Sequence, residues 1–348
     1  MELDWSNYTP GKDTTIITTL DTHAAGEPFR IVTGGLPELP GATILARRRY
    51  MQEHHDHIRK ALMWEPRGHY NMYGCILTPP VTSGADLGVL FMHNEGYSTM
   101  CGHGTIALVT ALLETGTIPA GGQKTPVHLD TPAGLVRATA HLDSRGHVER
   151  VSFLNVPSFL YARDIQLEIP AYGQLTVDVA FGGAFYVILP SEQVHLRVTP
   201  ERTQELVKAG EAIKKAINAH MPTVHPIEED LSFIYGTIFT DRPEDPKHHS
   251  RNICIFADGE VDRSPTGTGV SARLALHHAK GEIADGQQIA VESILGSPSV
   301  FSGRVVERSR VGSFEAIVPE VSGTAYITGR HEFIIDPRDR LGQGFLVM

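Results

Sequence analysis

The chain is short of cysteine, of long apolar runs and of positive charge, and each shortage closes off a class of function. Cys75, Cys101 and Cys254 are its 3 cysteines among 348 residues. They are an odd number in a large chain without a secretion signal, so no disulfide framework is expected and each thiol is judged by its neighbours. No uninterrupted apolar stretch approaches the ~18 to 20 residues that cross a bilayer. Met1 to Lys12 is polar and acidic, without the apolar segment of a secretory leader, so a cytoplasmic protein is expected. Lys and Arg total 30 against 40 Asp and Glu, a formal charge of -10, and the longest basic run is Arg47-Arg48-Arg49. No surface is in prospect that would neutralise a phosphate backbone, which argues against nucleic acid as a partner.

What is present is ordinary globular composition, 41% hydrophobic and 20% charged, in a chain long enough for two domains of ~150 to 200 residues. Short β-branched runs alternate with turn signals: Thr14 to Leu20, Phe29 to Thr33, Val89 to Met92, Val151 to Leu154, Ala184 to Leu189, Asn252 to Phe256, Glu315 to Ile317 and Ala325 to Ile327 read as strands. One helix is expected from Leu45 to Met63, with Met51, Ile58 and Leu62 on its apolar face and Glu65-Pro66-Arg67-Gly68 ending it. A second, Pro200 to Ile217, is amphipathic and Lys-rich.

The informative feature is an internal repeat at an offset of 165 residues. Gly88 to Gln123 aligns without a gap on Ile253 to Gln288, with nine identities in 36 positions, four of them glycines. Each copy reads as a strand, a loop, a glycine-flanked helix start and a helix closed by a C-cap glycine, Gly116 or Gly281. Two similar lobes follow. The first repeated helix, His103 to Glu114, is apolar all round, as a helix buried inside its lobe would be. The second, Thr268 to Lys280, carries Arg273 and His277-His278 and is expected to reach solvent at its C-terminal end.

A buried helix offers free amides and about half a positive charge at its N-terminus, and two such ends on a pseudo-twofold axis can serve one small anion. Cys101 stands immediately before Gly102-His103-Gly104, where the helix terminus depresses a thiol pKa and makes thiolate available near neutrality as base or nucleophile. The competing reading is a small buried hydrophobe. At the matching place in the second copy is Thr266, in Asp262-Arg263-Ser264-Pro265-Thr266-Gly267-Thr268-Gly269; a threonine there is ordinarily an N-cap. Asp262, a carboxylate near two anion-binding helix ends, makes sense if the ligand also carries a cation. An amino acid fits, with Asp262 on its ammonium and the amides around Gly102, His103, Gly267 and Thr268 on its carboxylate.

Asp21-Thr22-His23-Ala24-Ala25-Gly26-Glu27-Pro28, Glu65-Pro66-Arg67-Gly68-His69, Met100-Cys101-Gly102-His103-Gly104-Thr105 and the segment 262–269 resemble, in order and spacing, the signatures of the proline racemase family. The resemblance covers essentially the whole chain. It implies an α/β (α+β) fold of the diaminopimelate epimerase type, two pseudo-symmetric lobes each built as a barrel-like sheet around a central helix, and a homodimer. Residues 1–157 with 328–348 would form the lobe carrying Cys101, and 158–327 the lobe carrying Asp262 and Thr266. Proline racemases and hydroxyproline epimerases have a second cysteine where this chain has Thr266, and an aliphatic hydroxyl is too weak a base to replace it. The resemblance therefore implies the trans-3-hydroxy-L-proline dehydratase branch, without cofactor or metal: Cys101 accepts the Cα proton, the 3-hydroxyl leaves, and the enamine tautomerises to Δ1-pyrroline-2-carboxylate. Thr266, His103 and water all remain as proton donors to the leaving group. The alternatives are a racemase or epimerase with another second base, and an amino-acid-binding protein without chemistry.

Other features are set aside. Gly102-His103-Gly104-x-x-Ala107 and Gly267-Thr268-Gly269-x-x-Ala272 satisfy a loose dinucleotide fingerprint, but a Rossmann turn follows its strand at once and here about eight residues intervene. His54 and His57 share one face of the expected helix, yet on so charged a segment they read as solvated surface rather than metal ligands. Cys75 and Cys254 lie in apolar runs and read as inert core thiols. Phe185 reads as core or as a pocket wall, and His23 and Glu27 as site residues or as parts of a turn.

Overall fold

The computed structural model describes residues 8–347, so the first seven residues of the polar N-terminal stretch, and Met348, lie outside it. The first part of the chain runs β1 (Thr15–Ala24), β2 (Glu27–Gly34), α1 (Ile44–His54), α2 (Asp56–Met63), β3 (Tyr73–Thr78), β4 (Leu87–His93), β5 (Tyr97–Ser98), α3 (Gly102–Glu114), β6 (Lys124–Thr131), β7 (Gly134–Leu142) and β8 (Val148–Leu154). The rest is β9 (Ser158–Ile169), β10 (Gly173–Phe181), β11 (Phe185–Pro190), α4 (Thr203–His220), β12 (Ile234–Asp241), β13 (Ser250–Phe256), β14 (Glu260–Asp262), α5 (Gly267–Ala279), β15 (Ile289–Ser293), β16 (Gly296–Val311), β17 (Phe314–Gly323) and β18 (Ala325–Ile335). All eight strands expected from the sequence are present.

The pairing repeats. β2 lies parallel to β3, β3 antiparallel to β4, and β4 parallel to β6, which continues through β7 to β8. In the same pattern β11 lies parallel to β12, β12 antiparallel to β13, and β13 parallel to β15, which continues through β16 to β17. β18 returns from the end of the chain to pair with β1, just as β9 pairs with β10. β17 bonds to both β9 and β8, closing the second strand set and joining it to the first.

Inside the first set lies α3, buried at every residue from Gly102 to Leu113; inside the second lies α5, buried from Gly267 to Leu276. Each has 13 residues, and each is followed by a glycine in the left-handed region, Gly116 (φ 69°) and Gly281 (φ 72°), the conformation that releases a helix C-terminus at least cost. The apolar side chains of both helices share one continuous core. A second core fills the space between α4 and its strands, where Leu206, Ala209, Ile213 and Ile217 are buried. The amphipathic pattern of α4 is as expected, but its first residues, Pro200–Arg202, form a 3₁₀ turn.

Two sequence expectations change. The single helix from Leu45 to Met63 is two, because the backbone leaves the helical region at His55 (φ -134°, ψ 18°). His54, His55 and Asp56 are weak helix formers, and Asp56 is better placed opening a new first turn, where it binds Arg59 at 2.6 Å. The break puts His54 and His57 on different helices, and His54 instead stacks on Tyr50 at 4.2 Å. Arg273 is not at a solvent end: it is 1% exposed, bonded to Asn252 Oδ1 at 3.0 Å and Ser250 Oγ at 2.6 Å. Beyond it His277 and His278 are half-buried and Ala279 is exposed, so the C-terminal end of the helix does reach solvent, as expected. Phe185 belongs to the second core, packed on Phe181 at 4.9 Å.

Candidate active site

α3 and α5 meet head to head. A Cβ added to Gly102 would lie 2.8 Å from the Cα of Gly267, and one added to Gly267 would lie 2.9 Å from the Cα of Gly102. Only glycine allows the two helix starts to come this close, and their free amides and positive dipole ends converge on one place. A cavity of about 840 Å³ opens there, and Cys101, Gly102, His103, Asp262, Thr266, Gly267 and Thr268 all line it. Seven residues chosen from two distant stretches of sequence thus share one wall.

The two helix starts differ. Cys101 caps α3 from extended backbone (φ -142°, ψ 116°), its Sγ accepting the Gly104 N–H at 3.2 Å. Thr266 occupies the same place before α5 at φ 63°, ψ 98°, and its side chain caps nothing, contrary to the N-cap reading. A β-branched residue with positive φ is strained. The loop is held by bonds from Thr266 N–H to Ser264 Oγ and from Asn252 Nδ2 to the Pro265 carbonyl. Asn252 is in turn held by the buried Arg273. Thr266 Oγ1 is buried and has no hydrogen-bonding partner that meets ordinary geometry. It lies against Cys254, whose thiol burial and then Asp262 push well above the ordinary range while the Thr266 hydroxyl draws it down. Cys254 is fully buried in the core, as expected, and also borders the cavity. Cys75 is fully buried on β3, its thiol pushed up by burial alone.

The charge state of Cys101 also departs from expectation. Burial pushes its thiol well above the ordinary value, the carboxylates of Asp262 and Glu27 reinforce this, and the Gly104 N–H opposes it. Beside it, His103 Nδ1 lies 3.3 Å and Nε2 3.6 Å from Sγ. Burial lowers this imidazole to about 4, against the pull of Asp262. Burial of both groups thus favours the thiol and the neutral imidazole, against the helix terminus, which favours thiolate. Inactivation by iodoacetamide should accordingly still be quickening as pH rises beyond the range in which an ordinary thiol ionises, with Cys101 the residue modified. A rate that levels off below neutrality, or label on Cys75 or Cys254 with Cys101 free, contradicts this.

Asp262 ends β14, 6% exposed, with Oδ1 accepting the Ser264 N–H at 2.8 Å. It faces Cys254 across the β13–β14 pair. Thr268 is fixed by the Tyr186 hydroxyl at 2.6 Å. Glu27, on β2, reaches across to Arg263 in a two-pronged pair, 2.9 Å to each of Nε and Nη2, and also accepts the Arg263 backbone N–H at 2.7 Å. Burial pushes its carboxyl up to about 8 against the pull of Arg263. Glu27 thus ties the two strand sets together next to Asp262 and also lines the cavity. His23 serves a turn, its Nδ1 accepting the Gly26 N–H at 3.1 Å. Tyr73 and Tyr235 also line the cavity, with no signal in the sequence that marks them. Among the described residues no three His, Cys, Asp or Glu side chains gather as metal ligands do, and no helix is long and apolar enough to cross a membrane.

Residues 19–346 match the proline racemase family. The chain is 50% identical over 332 residues, 95% of its length and 98% of the relative's, to the trans-3-hydroxy-L-proline dehydratase of Bacillus cereus. It is 46% identical over 331 residues, again 95% and 98%, to the 3-hydroxyproline 2-epimerase of Burkholderia multivorans. A crystal structure of a hydroxyproline epimerase from Agrobacterium vitis with bound trans-4-hydroxy-L-proline superposes with a TM-score of 0.87 at 33% identity, over 96% of this chain and 95% of that one.

Proposed function

The chain belongs to the proline racemase family, and on that premise we propose that it is a trans-3-hydroxy-L-proline dehydratase in which Cys101 is the only base at Cα. The observation that carries the reading is the unequal pair of helix starts, a thiol at 101 and a hydroxyl at 266 on one cavity. The relative from Bacillus cereus supports it.

The amides at the start of α3 and α5 take the substrate carboxylate, and Asp262 takes the ring ammonium through a charge-assisted hydrogen bond. Cys101 withdraws the Cα proton. The charge that develops spreads into the carboxylate, where fixed amides and helix dipoles already point and need no reorganisation. The hydroxyl on the adjacent C3 then leaves, and the enamine becomes Δ1-pyrroline-2-carboxylate. Inversion needs a second proton donor on the other face of Cα, and Thr266 is a poor one. Epimerisation is the second reading, favoured by the Cys254 thiol against Thr266 and by the relative from Burkholderia multivorans. The family resemblance adds a homodimer and a cytoplasmic setting to the proposal.

Incubation with the 3- and 4-hydroxyproline isomers tests this. A pyrroline product should arise from trans-3-hydroxy-L-proline and from neither 4-hydroxyproline isomer, since a hydroxyl at C4 is not adjacent to the carbanion. Accumulation of C2 epimers without pyrroline would select the second reading, and no turnover of any isomer would sink both.

A further inference from the structure

We propose that the His103 imidazole donates the proton that carries the 3-hydroxyl away as water, and that it does so with the proton it first receives from Cys101. This assignment rests on the dehydratase reading above. Its first support is stereochemical. In trans-3-hydroxy-L-proline the carboxylate and the hydroxyl lie on opposite faces of the ring, so the hydroxyl lies on the same face as the Cα hydrogen. A thiol that takes that hydrogen stands on the face from which the oxygen departs. The proton donor belongs on the Cys101 side, not with Thr266 at the start of the opposing helix.

His103 meets the geometric requirement. Its Nδ1 is 3.3 Å from Cys101 Sγ, it lines the cavity, and its ring is held edge-on by Tyr73 at 4.8 Å and Phe29 at 5.7 Å. The other histidine on the cavity wall, His93, is engaged by Glu260 at 3.2 Å. The charged groups that act on the pair are Asp262 and Arg263 at His103, and Asp262 and Glu27 at Cys101.

The protons balance without help from solvent. The thiol proton passes from Sγ to the imidazole, giving thiolate and imidazolium. Thiolate removes the Cα proton, the electrons of the broken Cα–H bond form the Cα–C3 double bond, and the C3–O bond breaks. The imidazolium proton goes to the departing oxygen, which leaves as water. Cys101 is again a thiol and His103 again neutral, the state in which the cycle began, and the raised thiol and lowered imidazole are what such a resting pair requires.

The test compares turnover of trans-3-hydroxy-L-proline and trans-3-chloro-L-proline by the parent and by His103→Gln. Chloride leaves without a proton, whereas loss of Cys101 ionisation would slow both substrates alike, so the chloro-to-hydroxy ratio isolates protonation of the leaving group. That ratio should rise about 100-fold in the variant. An unchanged ratio overturns the assignment. A second measurement needs no variant: the parent should dehydrate cis-3-hydroxy-L-proline, whose hydroxyl lies on the other face, about 100-fold more slowly than the trans isomer. Comparable rates would place the acid elsewhere. A parent that dehydrates no 3-hydroxyproline would remove the functional reading and this assignment together, while an unchanged ratio with an active parent removes only the assignment.

Discussion

Cys101→Ala should lower turnover of trans-3-hydroxy-L-proline by on the order of 10³-fold while the protein stays folded and still binds L-proline. The loss is expected because no other thiol is placed to take the Cα proton: Cys75 lies fully buried on β3, and Cys254 stands beside Thr266 at the opposite helix start. The fold should survive because alanine fits the buried site, and the lost contact is one cap, the Gly104 N–H to Sγ bond, costing about 1 kcal/mol. Calorimetric titration with L-proline separates binding from turnover, because the helix amides and Asp262 are untouched by the change. A variant that keeps near-full activity would disprove Cys101 as the base. Binding unaffected by the change, in a parent that turns over no substrate, would identify an amino-acid-binding protein instead.

Thr266→Cys should create an activity rather than remove one. The parent has an effective base on one face of Cα, so in D2O L-proline should exchange its α-hydrogen slowly and without accumulation of D-proline. A thiol at 266 stands immediately before α5 as Cys101 stands before α3, and so gains the field of a second helix N-terminus. It would also relieve the β-branched side chain held at φ 63°. Chiral chromatography should then detect racemised proline or epimerised hydroxyproline, with dehydration reduced. Robust racemisation by the parent would overturn the single-base reading. A folded variant that epimerises no proline would show that facing thiols at two helix starts are not sufficient.

The fold was largely legible because its signals are local. Alternation marked eight of the eighteen strands among the described residues, and the glycines of the repeat marked both buried helices to within a residue or two of their ends. Cys101 and Asp262 were legible as site candidates for the same reason, each standing beside a helix start that the glycines announced. What stayed hidden depends on partners distant in sequence. The charge state of Cys101 is set by desolvation, which no spacing reveals. Glu27 and Arg263 are separated by 236 positions, and Cys254 reads as core alone until β14 places Asp262 opposite it. The break at His55 was missed because the apolar positions on either side kept a helical period through it.

The contact between Gly102 and Gly267 sits where a twofold axis would pass if the two halves were separate, identical chains. In such an assembly every residue facing the ligand would occur twice, so a thiol on one side of the ring would demand a thiol on the other. Reversible exchange of a proton across Cα is the reaction that suits such a matched pair. Elimination is one-sided, and it asks for a base on one face with something inert on the other. Covalent linkage of the halves lets a single codon change alter one face without altering its counterpart. The gap-free 165-residue offset thus records the condition under which a symmetric scaffold could acquire an irreversible reaction.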